Sequence, residues 1–150
     1  MATKYAVRGF HIDEVHLIDS ILADPRGWVH LGYLFSRVRN KKDCDVIIYK
    51  KTPEQMDKKF TNPDLKGLSV CTMNIYPIEI CIHEGNWNNV PQDFEGSLLD
   101  YRAYLVQHEM GHALGYMHES PLNDPNELCP VMYQQTKGTR GICRYNPWQI

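Results

Sequence analysis

Apolar positions along the 150-residue chain repeat with the strand period in some segments and the helix period in others. "KYAVRGF" (4–10), "YLFSRV" (33–38) and "DVIIYK" (45–50) read as strands. Between the first two, "DEVHLIDSILAD" (13–24) sets Val15, Ile18 and Leu22 on one helical face, with Asp13 placed to cap it. The proline and glycine of "DPRGW" (24–28) end that helix. "TPEQMDKKF" (52–60) predicts a short helix opened by Pro53. "LSVCTMN" (68–74) and "IEICIH" (78–83) predict a hairpin closed by "IYP", and "EGNWNNVPQDFEG" (84–96) a polar loop.

The clearest helix comes next. Ser97 with Asp100 three positions later forms a capping-box pattern. Leu98, Tyr101, Leu105, His108 and His112 then fall on one stripe. The apolar part of that stripe suits packing under a sheet, but its far end turns to histidine, which packing does not explain. From Tyr116 onward glycine, proline and polar residues dominate and no long element is expected. Strand, helix, four more strands and a helix predict an α/β layer over a sheet, within one domain.

Composition narrows the function classes. The chain is 43% hydrophobic and 23% charged, ordinary values for a globular domain. Its net charge is −2, and the densest basic run, "RVRNKKD" (37–43), is too short to leave a nucleic-acid footprint. No apolar run approaches the ~20 residues a membrane helix needs. The N-terminus carries no signal-peptide pattern, so the location stays open: an intracellular protein, or one whose leader has been removed. Five cysteines without a CxxC spacing argue against a cysteine-built zinc site. Cys129 and Cys143 can pair across a loop, and Cys71 and Cys81 across the hairpin; free or buried thiols are the alternative for each pair.

The segment "QHEMGHALGYMHES" (107–120) concentrates the chemistry. His108 and His112 lie four apart, which on a helix is ~40° of rotation and ~6 Å of rise, so both imidazoles face one side. Glu109 flanks the same point, as in the H-E-x-x-H arrangement of zinc hydrolases. On a continued helix His118 would lie ~9 Å beyond His112 and could not share an ion. Gly115 answers this, because glycine adopts φ > 0 cheaply and lets the chain turn back. Three neutral imidazoles leave one of zinc's four tetrahedral positions for water, and zinc draws that water's pKa from ~16 towards ~7. Glu109 is then placed to take the proton as general base and return it as general acid.

With these residues, and with "CPVMYQQT" (129–136), the chain resembles the metzincin clan of zinc metallopeptidases. A closer resemblance runs through "LADPRGW", "YRAYLVQHEMGHALG", "PVMYQQTKG" and "NPW". It points to a little-characterised metzincin-like domain family common in actinobacterial secreted proteins. The resemblance implies a twisted, mixed five-stranded sheet with two main helices and a small irregular C-terminal lobe. It divides the 1–150 domain into an upper part (1–115) and a short lower part (116–150). It also implies that Met132 lies in a turn beneath the metal. Tyr133 follows directly and is a candidate substrate or oxyanion contact, with packing or solvent exposure as the alternative. "LSVCTMN" would be the outer strand above the cleft, able to pair with an extended polypeptide substrate. "YNPWQI" (145–150) allows only the first turn of the helix that clan members carry after the methionine.

The expectation is a monomeric zinc-dependent endopeptidase holding one catalytic Zn²⁺. The alternatives are a zinc-binding module that engages a protein partner without cleaving it, and a hydrolase of non-peptide amides. His83 at a strand end, His11, His16 and His30 read as structural or surface residues. Trp28, Trp87 and Trp148 read as core or loop closures, and Met73, Met110 and Met117 as fillers.

Overall fold

A computed structural model describes residues 2–121 and 123–149. The ends of the expected 1–150 domain, Met1 and Ile150, lie outside the described residues, and with Ile150 goes the last position of "YNPWQI".

Five strands form one sheet: β1 (Ala2–Arg8), β2 (Leu34–Arg37), β3 (Val46–Lys51), β4 (Val70–Thr72) and β5 (Ile78–His83). Their order is β2-β1-β3-β5-β4, with β4 alone antiparallel. Helix α1 (Ile12–Ala23) carries the crossover from β1 to β2, and α2 (Pro53–Lys59) follows β3. The central helix is α4 (Leu98–Ala113). This is the mixed α/β class with a five-stranded sheet and two main helices that the sequence predicts.

Strand alternation assigns the two faces of the sheet. Tyr5, Val46, Ile48, Ile80 and Ile82 point towards α1 and α4, where they join Ile18, Leu22, Tyr101 and Leu105 in the main core. Ala6 and Ile47 face the other way and pack with Cys44. Helix α2 lies on that second face, where Lys59 pairs with Glu79 at 2.8 Å. Helix α4 is buried on nearly every side from Tyr101 to Gly111 rather than along one stripe.

Several predicted details shift. The first turn of α1 is closed by Glu14, whose carboxylate accepts from the His11 N–H at 2.9 Å, so the cap lies two residues before Asp13. The expected loop at 84–96 contains a short helix, α3 (Glu84–Asn88), which inserts a fully buried Trp87. A five-residue helix is too short to show a periodicity, and its cap is His83, whose Nδ1 accepts from the Asn86 N–H at 3.3 Å. Phe94, in the same segment, packs edge-on against Tyr101 and Tyr145.

The cysteines resolve into one bridge. Cys129 and Cys143 form a disulfide with Cα atoms 5.0 Å apart. Cys71 and Cys81 stay unbridged, as does Cys44. The hairpin register pairs Cys71 with Ile80 and Cys81 with Val70. That one-residue offset turns the two thiols to opposite faces of the sheet.

After α4 the chain runs irregularly, with a single 3₁₀ turn, Gln135–Lys137, among the described residues. Residues 145–149 form no helix. Asn146 fastens them instead, donating from its side chain to the carbonyls of Cys129 (3.1 Å) and Trp148 (2.8 Å).

Candidate metal centre

Helix α4 starts on the Ser97–Asp100 capping box: the serine hydroxyl accepts from the Asp100 N–H at 3.1 Å, and the Asp100 carboxylate from the Ser97 N–H at 3.3 Å. Its last turns carry His108, Glu109 and His112. Gly115 then adopts φ +102°. The Tyr116 N–H reaches the Gly111 carbonyl and the Gly115 N–H the His112 carbonyl, both at 2.9 Å. This glycine-ended cap reverses the chain and leaves no helical path for His118. His118 returns to the helix end, its Nε2 3.1 Å from His112 Nε2.

One ligand-capable nitrogen from each of His108, His112 and His118 lies within 4.8 Å of the others. An ion with Zn–N bonds of about 2.0–2.1 Å in a tetrahedron would space two nitrogens about 3.3 Å apart, so the His112–His118 separation fits. Tautomers fit as well. His108 Nδ1 is 2.7 Å from the Val131 carbonyl and His112 Nδ1 2.9 Å from the Tyr116 carbonyl. A carbonyl only accepts, so each Nδ1 carries the proton and each Nε2 offers a lone pair. Burial keeps the rings neutral: it lowers His108 to about 3, and also lowers His112 and His118.

Glu109 is buried beside them. Its carboxyl is pushed up to about 8 by loss of solvent, and no protein group hydrogen-bonds it among the described residues. The Cys71 thiol, near Glu109, is raised to about 12 by burial and then by that neighbouring charge.

All four residues open onto one cleft of about 370 Å³. It is lined by β4 and the segment before it, including Leu68, Val70 and Cys71, and by Gln134, Thr136 and Lys137 beyond Met132. The side of β4 away from β5 pairs with no other strand among the described residues. Met73 and Met117, expected as fillers, are exposed at the rim of the cleft. Met110, by contrast, is fully buried.

Met132 lies against the helix at Gly111. A Cβ added there would come 2.4 Å from the methionine sulfur and 2.6 Å from the Trp28 ring. Trp28 in turn donates from Nε1 to the Gln107 carbonyl at 2.7 Å and stacks on Tyr116, ring centres 4.6 Å apart. Tyr133 does not line the cleft. Its backbone carbonyl accepts from the Tyr104 hydroxyl at 3.0 Å, while that hydroxyl accepts from the Gln135 N–H at 2.9 Å.

Sequence reasoning therefore names the three imidazoles, the carboxylate, Gly115 and Met132. It misses Gly111, the two carbonyls that set the tautomers, and Trp28. Gly111 sits inside the quoted motif, and its lack of a side chain was the available signal. The carbonyls left none, since every residue has one.

Comparison with known proteins returns little beyond a family. No curated protein matches the chain. A family model, described as Protein of unknown function (DUF3152), matches residues 6–144. With nearly the whole chain covered, this protein belongs to the DUF3152 family.

Proposed function

We propose that this chain is a zinc-dependent endopeptidase of the metzincin kind. One observation carries the reading: three neutral imidazoles converge at the mouth of a cleft beside a buried carboxylate to which no group among the described residues donates a hydrogen bond. Three histidines form a donor set suited to Zn²⁺ with a position left open, which separates a catalytic from a closed structural site. Zinc held there would polarise a carbonyl and acidify water.

The residues do the rest. His108, His112 and His118 bind, with the Val131 and Tyr116 carbonyls fixing two of the rings. Glu109 holds the proton: it takes one from water and hands it to the departing amine. Its enclosure suits both roles, because a carboxylate raised towards neutrality both accepts and gives up a proton at working pH. The unpaired edge of β4 suits an extended backbone laid antiparallel along the cleft, which favours polypeptides over small amides. The disulfide supports an oxidising compartment.

A quenched peptide library, assayed with and without chelator, tests this. The reading expects cleavage that chelator and Glu109→Ala both abolish. One equivalent of bound zinc without cleavage of any peptide would leave a binding module. Turnover of a small amide alone would shift the substrate class.

A further inference from the structure

The loop under the imidazoles gives the Cys129–Cys143 disulfide a second role, which rests on the metal-site reading above. His108 is the most buried of the three rings, and its Nδ1 faces the Val131 carbonyl at 2.7 Å. While that carbonyl is in place, Nδ1 carries the proton and Nε2 is free. If the carbonyl moves away, the ring's single N–H can sit on Nε2 instead and the ring is no longer held in place, so Nε2 is less available to an ion.

The segment carrying Val131 reaches the other rings too. The Glu119 N–H, next to His118, donates to the Met132 carbonyl at 3.1 Å. The Met132 sulfur packs on Gly111, one residue before His112. Residues 131–132 thus touch the surroundings of every proposed ligand.

Among the described residues this segment belongs to no long helix or strand. It is held by a seam to residues 143–146. The Cys129 N–H donates to the Arg144 carbonyl at 2.6 Å. Asn146 Nδ2 donates to the Cys129 carbonyl at 3.1 Å, and the Asn146 N–H to Gln135 Oε1 at 2.8 Å. The disulfide is the covalent member of that seam, and Val131 lies two residues from it.

We infer that Cys129–Cys143 is a positioning disulfide: it keeps the Val131 carbonyl on His108 Nδ1, and opening it weakens metal binding. Opening breaks the S–S bond and yields two thiols. A water-soluble phosphine supplies the two electrons and becomes its oxide; water supplies the oxygen and the two thiol protons.

The test measures zinc affinity of the full chain by competition with a chromogenic chelator. It compares the oxidised protein, the phosphine-reduced and desalted protein, and a Cys129→Ala, Cys143→Ala double variant. Imidazole ¹H–¹⁵N spectra of the metal-free forms report the His108 tautomer. On opening, the zinc dissociation constant should rise about tenfold or more, the range seen for lost outer-shell partners. The His108 ring should lose its single Nδ1–H form while far-ultraviolet circular dichroism is retained. Ile47→Val, which loosens the smaller core on the other face of the sheet, should leave zinc affinity unchanged.

Unchanged affinity and tautomer on opening overturn this inference and leave the metal site standing. An oxidised protein that binds no zinc overturns both. If the opened chain unfolds, Asn146→Ala in the disulfide-bonded protein decides. Affinity kept within about twofold supports the disulfide as the holder, and a tenfold loss with the bridge intact overturns it.

Discussion

Glu109 and Gly111 sit two residues apart on one helix and fail in different ways when changed. Glu109→Gln keeps the volume and removes the proposed proton acceptor. The expected result is unaltered zinc stoichiometry with peptide cleavage reduced about 10²–10⁴-fold, measured side by side on one preparation. An equal loss of zinc would make the carboxylate a structural group. Gly111→Ala instead drives a methyl into Met132 and Trp28. Overpacking of this kind costs about 1–3 kcal/mol, so the melting temperature should fall by several degrees. Because the clash is with side chains of the core, the fall should persist in chelator, and a melt with and without it checks this.

Among the elements, those with a repeating pattern were legible and those without one were not. The β4–β5 hairpin and α4 follow from alternation and from a capping box, both local signals. Helix α3 was missed because one and a half turns give no period and because a histidine caps it. Its buried Trp87 shows why it forms: the indole N–H donates to Glu14 of α1, and Arg102 of α4 stacks on the ring at 4.7 Å. Glu14 also accepts from Lys50 of β3 at 2.9 Å, so one carboxylate joins three elements. Burial alone would raise that carboxyl; the hydrogen bonds from His11, Lys50 and Trp87 override it and hold it at about 2. A depressed folded-state value means the stabilisation is complete above the unfolded value of 4.5 and is lost as pH falls towards 2. After allowance for solvent screening it is worth about 1–2 kcal/mol. Urea melts at pH 6 and pH 3 should show a little over half of that contribution, because pH 3 still lies above the folded value, and Glu14→Gln should reduce the difference. Gly115 offers a separate check: alanine at φ +102° should cost about 1–2 kcal/mol, and zinc affinity should fall with it because the turn delivers His118.

For the molecule as a whole, binding that favours only the folded chain adds stability. Zinc at 100 times its dissociation constant should contribute about 2.7 kcal/mol. Adding chelator should therefore lower the melting temperature by roughly 5–10 °C for a chain of this size; a melt that chelator leaves alone would mean an empty or absent site. At this scale the sequence says less about the site than it does about the motif. His108, Glu109, His112, Gly115 and His118 are legible because eleven consecutive residues contain them. The Val131 carbonyl arrives from 23 residues away and the Trp28 indole from 79, contacts that only the folded chain creates. The cleft walls likewise join β4 to the loop beyond Met132, two stretches with no shared pattern. One property of the three rings bears on traffic. His108 is buried, His112 half-buried and His118 exposed. On the proposed reading, a cation arriving from solvent would meet the outermost ring first and the innermost last, and would depart in the reverse order. His118, beyond the glycine turn, would then be the doorkeeper that sets how fast the ion comes and goes, while the two rings on the helix would decide how firmly it stays.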